Sequence, residues 1–203
     1  MTKNNYIFWR LLPITILGLY NIYKLVKDAD TVDIFGGIFS LGLNFVFVCV
    51  FIYNIFIDGK VFRATKSKAS FLPTIIGTLI VVVYGVTQVT LDNRDNAKLI
   101  LQANNDGGFN GCGFEFRADG TYKFFNGSGL GVDYSRGNYT IKDSIIILDK
   151  SNIDNVIKSK TLIIRPFHGN DSTRNQIIYQ INDKHEVVDK NFGFIVNEDN
   201  RKK

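Results

Sequence analysis

From Ile34 to Ile57 the chain runs for twenty-four residues without a charge. A helix of that length rises about 36 Å, enough to cross a hydrocarbon core of about 30 Å. Sixteen of the residues are Ile, Leu, Val or Phe. At roughly −0.3 to −0.6 kcal/mol apiece on an insertion scale they outweigh the cost of Asn44 and Asn54, so insertion into a bilayer is the expected outcome. A buried core helix of a soluble domain rarely runs so long without a polar face.

Two further segments share this character. Leu72 to Val89 is uncharged, opens with Pro73 in what would be its first turn, and ends abruptly at Asp92, Arg94 and Asp95. Tyr6 to Tyr23 is interrupted by Arg10, whose long stem is expected to snorkel to the headgroups, with Tyr6, Trp9, Tyr20 and Tyr23 as interfacial aromatics. A signal peptide would need a small-residue cleavage site after Leu19, where the chain instead reads Tyr20-Asn21-Ile22-Tyr23-Lys24, so a retained helix is expected. The sequence therefore predicts a transmembrane region over residues 1–90, with spans at 6–23, 34–57 and 72–89, and a separate domain over 91–203.

Basic residues set the expected orientation. Lys60, Arg63, Lys66 and Lys68 fall between the second and third spans, in a loop predicted from Asp58 to Ser70, which makes that loop cytoplasmic. The N-terminus then lies inside and everything after Val89 outside a cytoplasmic membrane. Up to Thr90 there are eight Lys or Arg against four Asp or Glu; beyond it the balance is sixteen against fifteen. The positive excess thus sits among hydrophobic runs rather than on one polar domain, which argues against a nucleic-acid partner. Within the second span Gly36, Ser40 and Asn44 recur every four residues, a stripe suited to helix packing through small side chains and an amide. No Asp, Glu, Lys or His falls within the predicted spans, so no ion or proton pathway is expected.

After Ala97 the pattern becomes short β-branched and aromatic runs broken by Gly, Asn and Asp. Strands are predicted at 98–103, 113–117, 121–125, 136–141, 144–149, 161–165, 176–181 and 192–196. Asp119-Gly120 supplies a primed or bulged hairpin turn, and Asp143-Ser144 another. Eight sequential strands imply an antiparallel meander, as a barrel or a sandwich.

The run Phe116-x-x-Asp119-Gly120-Thr121-Tyr122, followed by Gly137-Asn138-Tyr139-Thr140-Ile141-x-Asp143-x-Ile145-x-Ile147-Leu148-Asp149, resembles the strand pattern of small bacterial lipocalin-like domains. The resemblance spans residues 114–149, about a third of the domain. It departs from that family in lacking an opening Gly-x-Trp strand, since Trp9 is the only tryptophan. It implies a fold and no particular ligand. In a barrel, Tyr122, Phe124, Tyr139 and Ile141 would point into one interior and line any ligand site there.

Catalytic candidates are few. Cys112, in the Gly-rich stretch 107–113, would need His168 or His185 as a base. The turn from Arg165 to Asp171 groups an arginine, a histidine and an aspartate, as water-facing turns commonly do. Asn126 to Gly131 is read as a long hairpin loop rather than a phosphate cradle, because no helix is predicted after it. Asn126-Gly127-Ser128, Asn138-Tyr139-Thr140 and Asn170-Asp171-Ser172 match the glycosylation acceptor pattern by chance unless the source is eukaryotic. The two cysteines, Cys49 and Cys112, lie in segments of opposite character and are not expected to pair, and with two histidines a zinc site lacks ligands. The expectation is a non-enzymatic envelope protein, free of cofactor or metal, whose partners are the lipid bilayer and either a small apolar ligand or another protein. The alternatives are a tethered enzyme using Cys112 or the Arg165–Asp171 turn, and a membrane module, immunity or channel-associated, regulated by the β-domain.

Overall fold

The computed structural model describes residues 3–167 and 176–201. The chain divides into two compact units, Met1–Arg94 and Asp95–Lys203.

The first unit holds helices α1 (Lys3–Asp28), α2 (Ile34–Thr65) and α3 (Leu72–Asn93), with a short extended segment β1 (Thr31–Asp33) before α2. Asp33 caps α2 by accepting the Gly36 N–H, a Ser/Asp-type N-cap that satisfies one of the orphan donors of the first turn. At the other end Lys66 takes a left-handed φ of 52° and returns its N–H to Phe62 O. A 3-10 turn, Lys68–Phe71, then leads into α3, where Pro73 occupies the first helical turn.

Each helix turns one narrow stripe inward. On α1 the stripe is Arg10, Ile14, Gly18 and Asn21; on α3 it is Pro73, Gly77 and Ile80; on α2 the buried residues are Phe47, Asn54 and Asp58. Spacings of three, four and seven keep each set on one helical face. Ile14, Phe47 and Ile80 form the core, with Leu17, Ile22, Val50, Phe51 and Ile76 against it. Two glycines permit the close approach. A Cβ on Gly18 would lie 2.6 Å from Ile80, and one on Gly77 would lie 2.5 Å from the Phe51 ring and 2.6 Å from Ile14.

This packing is inverted relative to a water-soluble bundle. Among the described residues thirty large apolar side chains are exposed on the helical unit and four on the second unit. Phe45 and Phe56 of α2 are 71% and 72% exposed, while Asp58 of the same helix is 0% exposed. Two helical segments, Ile34–Thr65 and Lys68–Asn93, are long and apolar enough to cross a membrane. The expectation of three such spans is therefore met for two. In α1 the apolar run is broken by Arg10, Asn21 and Lys24, and the helix does not qualify on length and apolarity alone. The predicted loop from Asp58 to Ser70 also needs correction. α2 continues to Thr65, so Asp58, Lys60 and Arg63 are helical.

The second unit is an eight-stranded antiparallel barrel. Its strands are β2 (Leu99–Gly107), β3 (Asn110–Arg117), β4 (Thr121–Ser128), β5 (Gly131–Lys142), β6 (Ile145–Leu148), β7 (Thr161–Pro166), β8 (Gln176–Ile181) and β9 (Phe194–Asp199). Each pairs with the next in sequence, and β9 closes the ring on β2 through Leu101↔Asp199 and Ala103↔Val196. Closure leaves no barrel strand with an open edge and decides for a barrel over a sandwich.

Turn chemistry agrees with the residues present. Gly120, at φ +82°, donates its N–H to Arg117 O, and Asp119 Oδ1 accepts from Thr121 N and Oγ1, a bulged hairpin. Asp143 turns β5 into β6 at φ 55°. The predicted long loop at Asn126 to Gly131 is instead a strand extension, because Asn126↔Asp133, Gly127↔Val132 and Ser128↔Gly131 stay in register and only Gly129-Leu130 turns.

Candidate functional site

Alternation along the strands sends Leu101, Ala103, Phe114, Phe116, Tyr122, Phe124, Ile146, Leu148, Leu162, Ile178, Phe194 and Val196 into one core. The aromatic rings fill it. Phe114 stands at 5.2 Å from Phe116, 4.9 Å from Phe124 and 5.2 Å from Phe194, all contact distances for ring pairs. One end is sealed by the connection between β6 and β7, which tucks Ile153 and Ile157 into the core. Gln180 holds that connection in place, accepting from Lys158 N at 2.7 Å and donating to Val156 O at 3.0 Å.

Among the described residues the other end is open. Because the meander alternates direction, it gathers the start of β2, the end of β5, the β5–β6 turn, the end of β7, the start of β8 and the residues after β9. Their side chains line an open cleft of about 940 Å³. Its floor is Ile100, Ile141 and Ile164, its rim Lys98, Arg165, Pro166, Gln176 and Arg201, with Asp143 beside them. Arg201 is bolted across the rim: Nε donates to Asp199 Oδ1 at 2.8 Å, Nη2 to Gln176 Oε1 at 3.3 Å and Nη1 to Asp143 O at 3.4 Å. The Asp199 carboxylate raises the Arg201 pKa above its ordinary value, so this guanidinium stays charged. Lys98 and Arg165 have no ion-pair partner among the described residues. A basic rim over an isoleucine floor suits a molecule with an anionic head and an apolar body.

Away from the cleft, the outer face of the barrel carries a charge ladder in strand register, Glu115↔Lys123↔Arg136. Asp95 receives Arg136 Nε at 3.0 Å and Nη2 at 2.8 Å. Those hydrogen bonds, helped by the charges of Lys123 and Arg117, lower the Asp95 pKa to about 2. With each member paired, the ladder reads as bracing rather than as a site.

The helical unit has a polar cluster of its own. Arg10 is 8% exposed and turned inward against the other helices. It forms an ion pair with Asp58, and Asn54 Oδ1 accepts from its Nε at 3.1 Å and its Nη2 at 2.9 Å. Asp58 also accepts from the Thr74 N–H at 3.1 Å and from the Thr74 hydroxyl. One residue from each of the three helices thus meets at a single buried carboxylate. Tyr6 adds its ring face at 5.4 Å from the guanidinium. The sequence signal for this pair was the spacing of Phe47, Asn54 and Asp58, which continues the inward stripe beyond Ile57, and the general tendency of a lone cation in an apolar segment to find an anion.

The sequence-predicted site residues are distributed as follows. Tyr122, Phe124 and Tyr139 lie in the packed interior, and the half-buried Ile141 lines the cleft. Burial raises the Tyr139 phenol to about 12 and, together with Asp149, pushes the Tyr122 phenol higher still. Tyr139 Oη donates to Arg117 O at 2.8 Å. Ser40 Oγ donates to Asp28 Oδ2 at 3.1 Å, linking α2 to α1, while Asn44 donates to Ser40 O within α2. A Cβ on Gly36 would meet only its own N-cap, Asp33. Cys112 is buried and its thiol is pushed up to about 11 by desolvation, opposite to the direction that activates a nucleophile. In the Arg165–Asp171 turn, Arg165 lines the cleft; His168 to Asp171, and the Asn170 acceptor match, lie outside the described residues. Among the described residues no three His, Cys, Asp or Glu side chains group as metal ligands.

The fold defines a class: an eight-stranded antiparallel barrel joined to a helical unit with two helices able to span a membrane. In comparison with known proteins, the chain matches no family model, no curated protein and no solved structure.

Proposed function

We propose that the chain is an integral membrane protein that carries the barrel on the outer side of a cytoplasmic membrane, where its open end binds an anionic amphipathic molecule. The membrane part of this reading is supported by the inverted helical unit. The thirty large apolar side chains that face outward among the described residues are costly in water and are at home in lipid. α1 joins as a third span through its contacts, because Arg10, the charge that interrupts residues 6–23, is neutralised against Asp58. Lys60, Arg63, Lys66 and Lys68 between α2 and α3 favour a cytoplasmic position for that connection, which leaves the N-terminus inside and residues after α3 outside.

The observation that carries the binding reading is the cleft of about 940 Å³, in which Lys98 and Arg165, without an ion-pair partner among the described residues, stand with Ile100, Ile141 and Ile164. A small ligand inside the barrel is disfavoured by the ring packing there. The test uses the full chain in dodecylmaltoside, with dodecanoate as probe and dodecanol as the uncharged control. Dodecanoate is expected to bind more tightly than dodecanol, and Lys98→Glu with Arg165→Glu is expected to weaken dodecanoate at least tenfold while leaving dodecanol unchanged. Equal binding of the two probes, or no effect of charge reversal, overturns the proposal. Orientation is tested with single thiols engineered at Lys66 and Ser151 in spheroplasts: an impermeant maleimide should reach position 151 and not 66.

A further inference from the structure

The helical unit contains a cavity of about 190 Å³ that the barrel-cleft reading leaves unused. Gly18 and Asn21 of α1, Asn44 and Phe47 of α2, and Ile80 and Tyr84 of α3 line it, and Val48 and Val81, both nearly half exposed, stand at its mouth. Gly18 lines it with backbone alone, Ile80 and Phe47 occupying the place of its missing side chain. Asn21 is 4% exposed, and its Nδ2 has no hydrogen-bond partner among the described residues. A buried amide donor left without an acceptor is uncommon in a folded protein and marks a place where a partner is missing.

Water is a poor candidate for that partner. At about 30 Å³ per molecule the cavity would take roughly six waters, each using two to four polar neighbours. The walls offer three polar side chains, Asn21, Asn44 and Tyr84, and one of the two Asn44 amide N–H bonds is already given to Ser40 O, too few partners for six waters. An apolar body carrying one acceptor fits both the lining and the unmatched donor.

The geometry points to a binding site within the helical bundle for a small apolar molecule bearing a carbonyl, the carbonyl accepting from Asn21 Nδ2. The acyl ester of a phospholipid and a free hydrophobic ketone share this chemistry. Access is lateral, between Val48 and Val81, so the molecule enters from the surrounding apolar phase.

Benzophenone is a suitable probe, being apolar, carrying one ketone and inserting into neighbouring C–H bonds under ultraviolet light. The full chain is labelled in dodecylmaltoside and in phospholipid nanodiscs, and the modified peptides are located by mass spectrometry. Saturable labelling confined to the cavity lining, Asn21 and the residues facing it foremost, is expected in detergent. If it persists in nanodiscs the site prefers a free ketone; if phospholipid suppresses it there, the lipid ester is the occupant. Asn21→Leu, which keeps the apolar lining and removes the donor, should weaken labelling about five- to tenfold, the worth of one hydrogen bond. Val81→Trp, which fills the mouth without touching the core, should abolish it. Both variants are checked for an unchanged elution volume and helical circular dichroism. Labelling that does not saturate, spreads evenly over outward residues such as Phe45 and Phe56, or is the same in both folded variants overturns the inference.

Discussion

The carboxylate of Asp58 and the guanidinium of Arg10, forty-eight residues apart, form an ion pair in the interior of the helical unit, and Thr74 completes the carboxylate's hydrogen bonding from α3. A charge in this position is tolerable only while its partner is present, because each ion left alone in a low-dielectric surrounding carries its full desolvation cost.

Removing one partner should therefore harm more than removing both. Asp58→Leu or Arg10→Met alone is expected to cost about 3 to 5 kcal/mol, and the double replacement Arg10→Met with Asp58→Leu to recover most of it. Reversible unfolding of the detergent-solubilised chain by SDS, followed by circular dichroism, measures the three variants. Additive losses in the double variant would mean that the pair is not coupled.

The contact of α1 with α3 depends on two absent side chains. At Gly18 a Cβ would press on Ile80 from 2.6 Å, and at Gly77 it would strike Phe51 and Ile14. Gly77→Leu should cost about 1 to 3 kcal/mol through overpacking, whereas Gly85→Leu, where nothing lies within 4 Å, should be close to neutral. The same SDS titration compares them.

Acid sensitivity of the barrel should trace to Asp95. Its carboxyl is held at about 2 by hydrogen bonds from Arg136, below the ordinary value of 3.8. A group depressed on folding stabilises the folded state above its unfolded pKa and loses that contribution as pH falls through the folded one. The stabilisation should be complete above about pH 4 and fall away towards pH 2. Since the side chain is partly solvated, its worth is about 1 kcal/mol after screening. Denaturation monitored from pH 6 to pH 2 should show a smaller drop for Asp95→Asn than for the unaltered chain, and an identical drop would refute the assignment.

Cys112 offers a check on any catalytic reading. With its thiol pushed up to about 11 and its side chain buried, it should resist iodoacetamide at pH 7.5 in the folded chain and react once guanidinium unfolds the barrel. Mass spectrometry of the Cys112 peptide reads both states. Rapid alkylation under native conditions would restore the thiol as a nucleophile.

Much of the architecture was legible from local pattern. An uncharged run of twenty-four residues, eight alternating segments, and turn residues such as Asp119-Gly120 each state a preference that depends on neighbours within a few positions. The helices and strands arise from those preferences, and the eight predicted strands are the eight that form the barrel. Of the four residues read as ligand-lining, only Ile141 reaches the open cleft, since period-2 alternation tells which face a residue takes but not how far along the barrel axis the packed core extends.

What tertiary structure alone decided are the relationships that join distant residues. Pairing Leu101 with Asp199 closes the barrel, and that closure brings Lys98, Arg165 and Arg201 to one rim. Packing three helices on their inward stripes brings Arg10 to Asp58, and leaves Asn21 facing a cavity. Hydrophobic periodicity is a property of one segment and can be read along the chain. Register, closure and the meeting of charges are set by which segments share a neighbour in space, and their free energies exist only once the chain has folded.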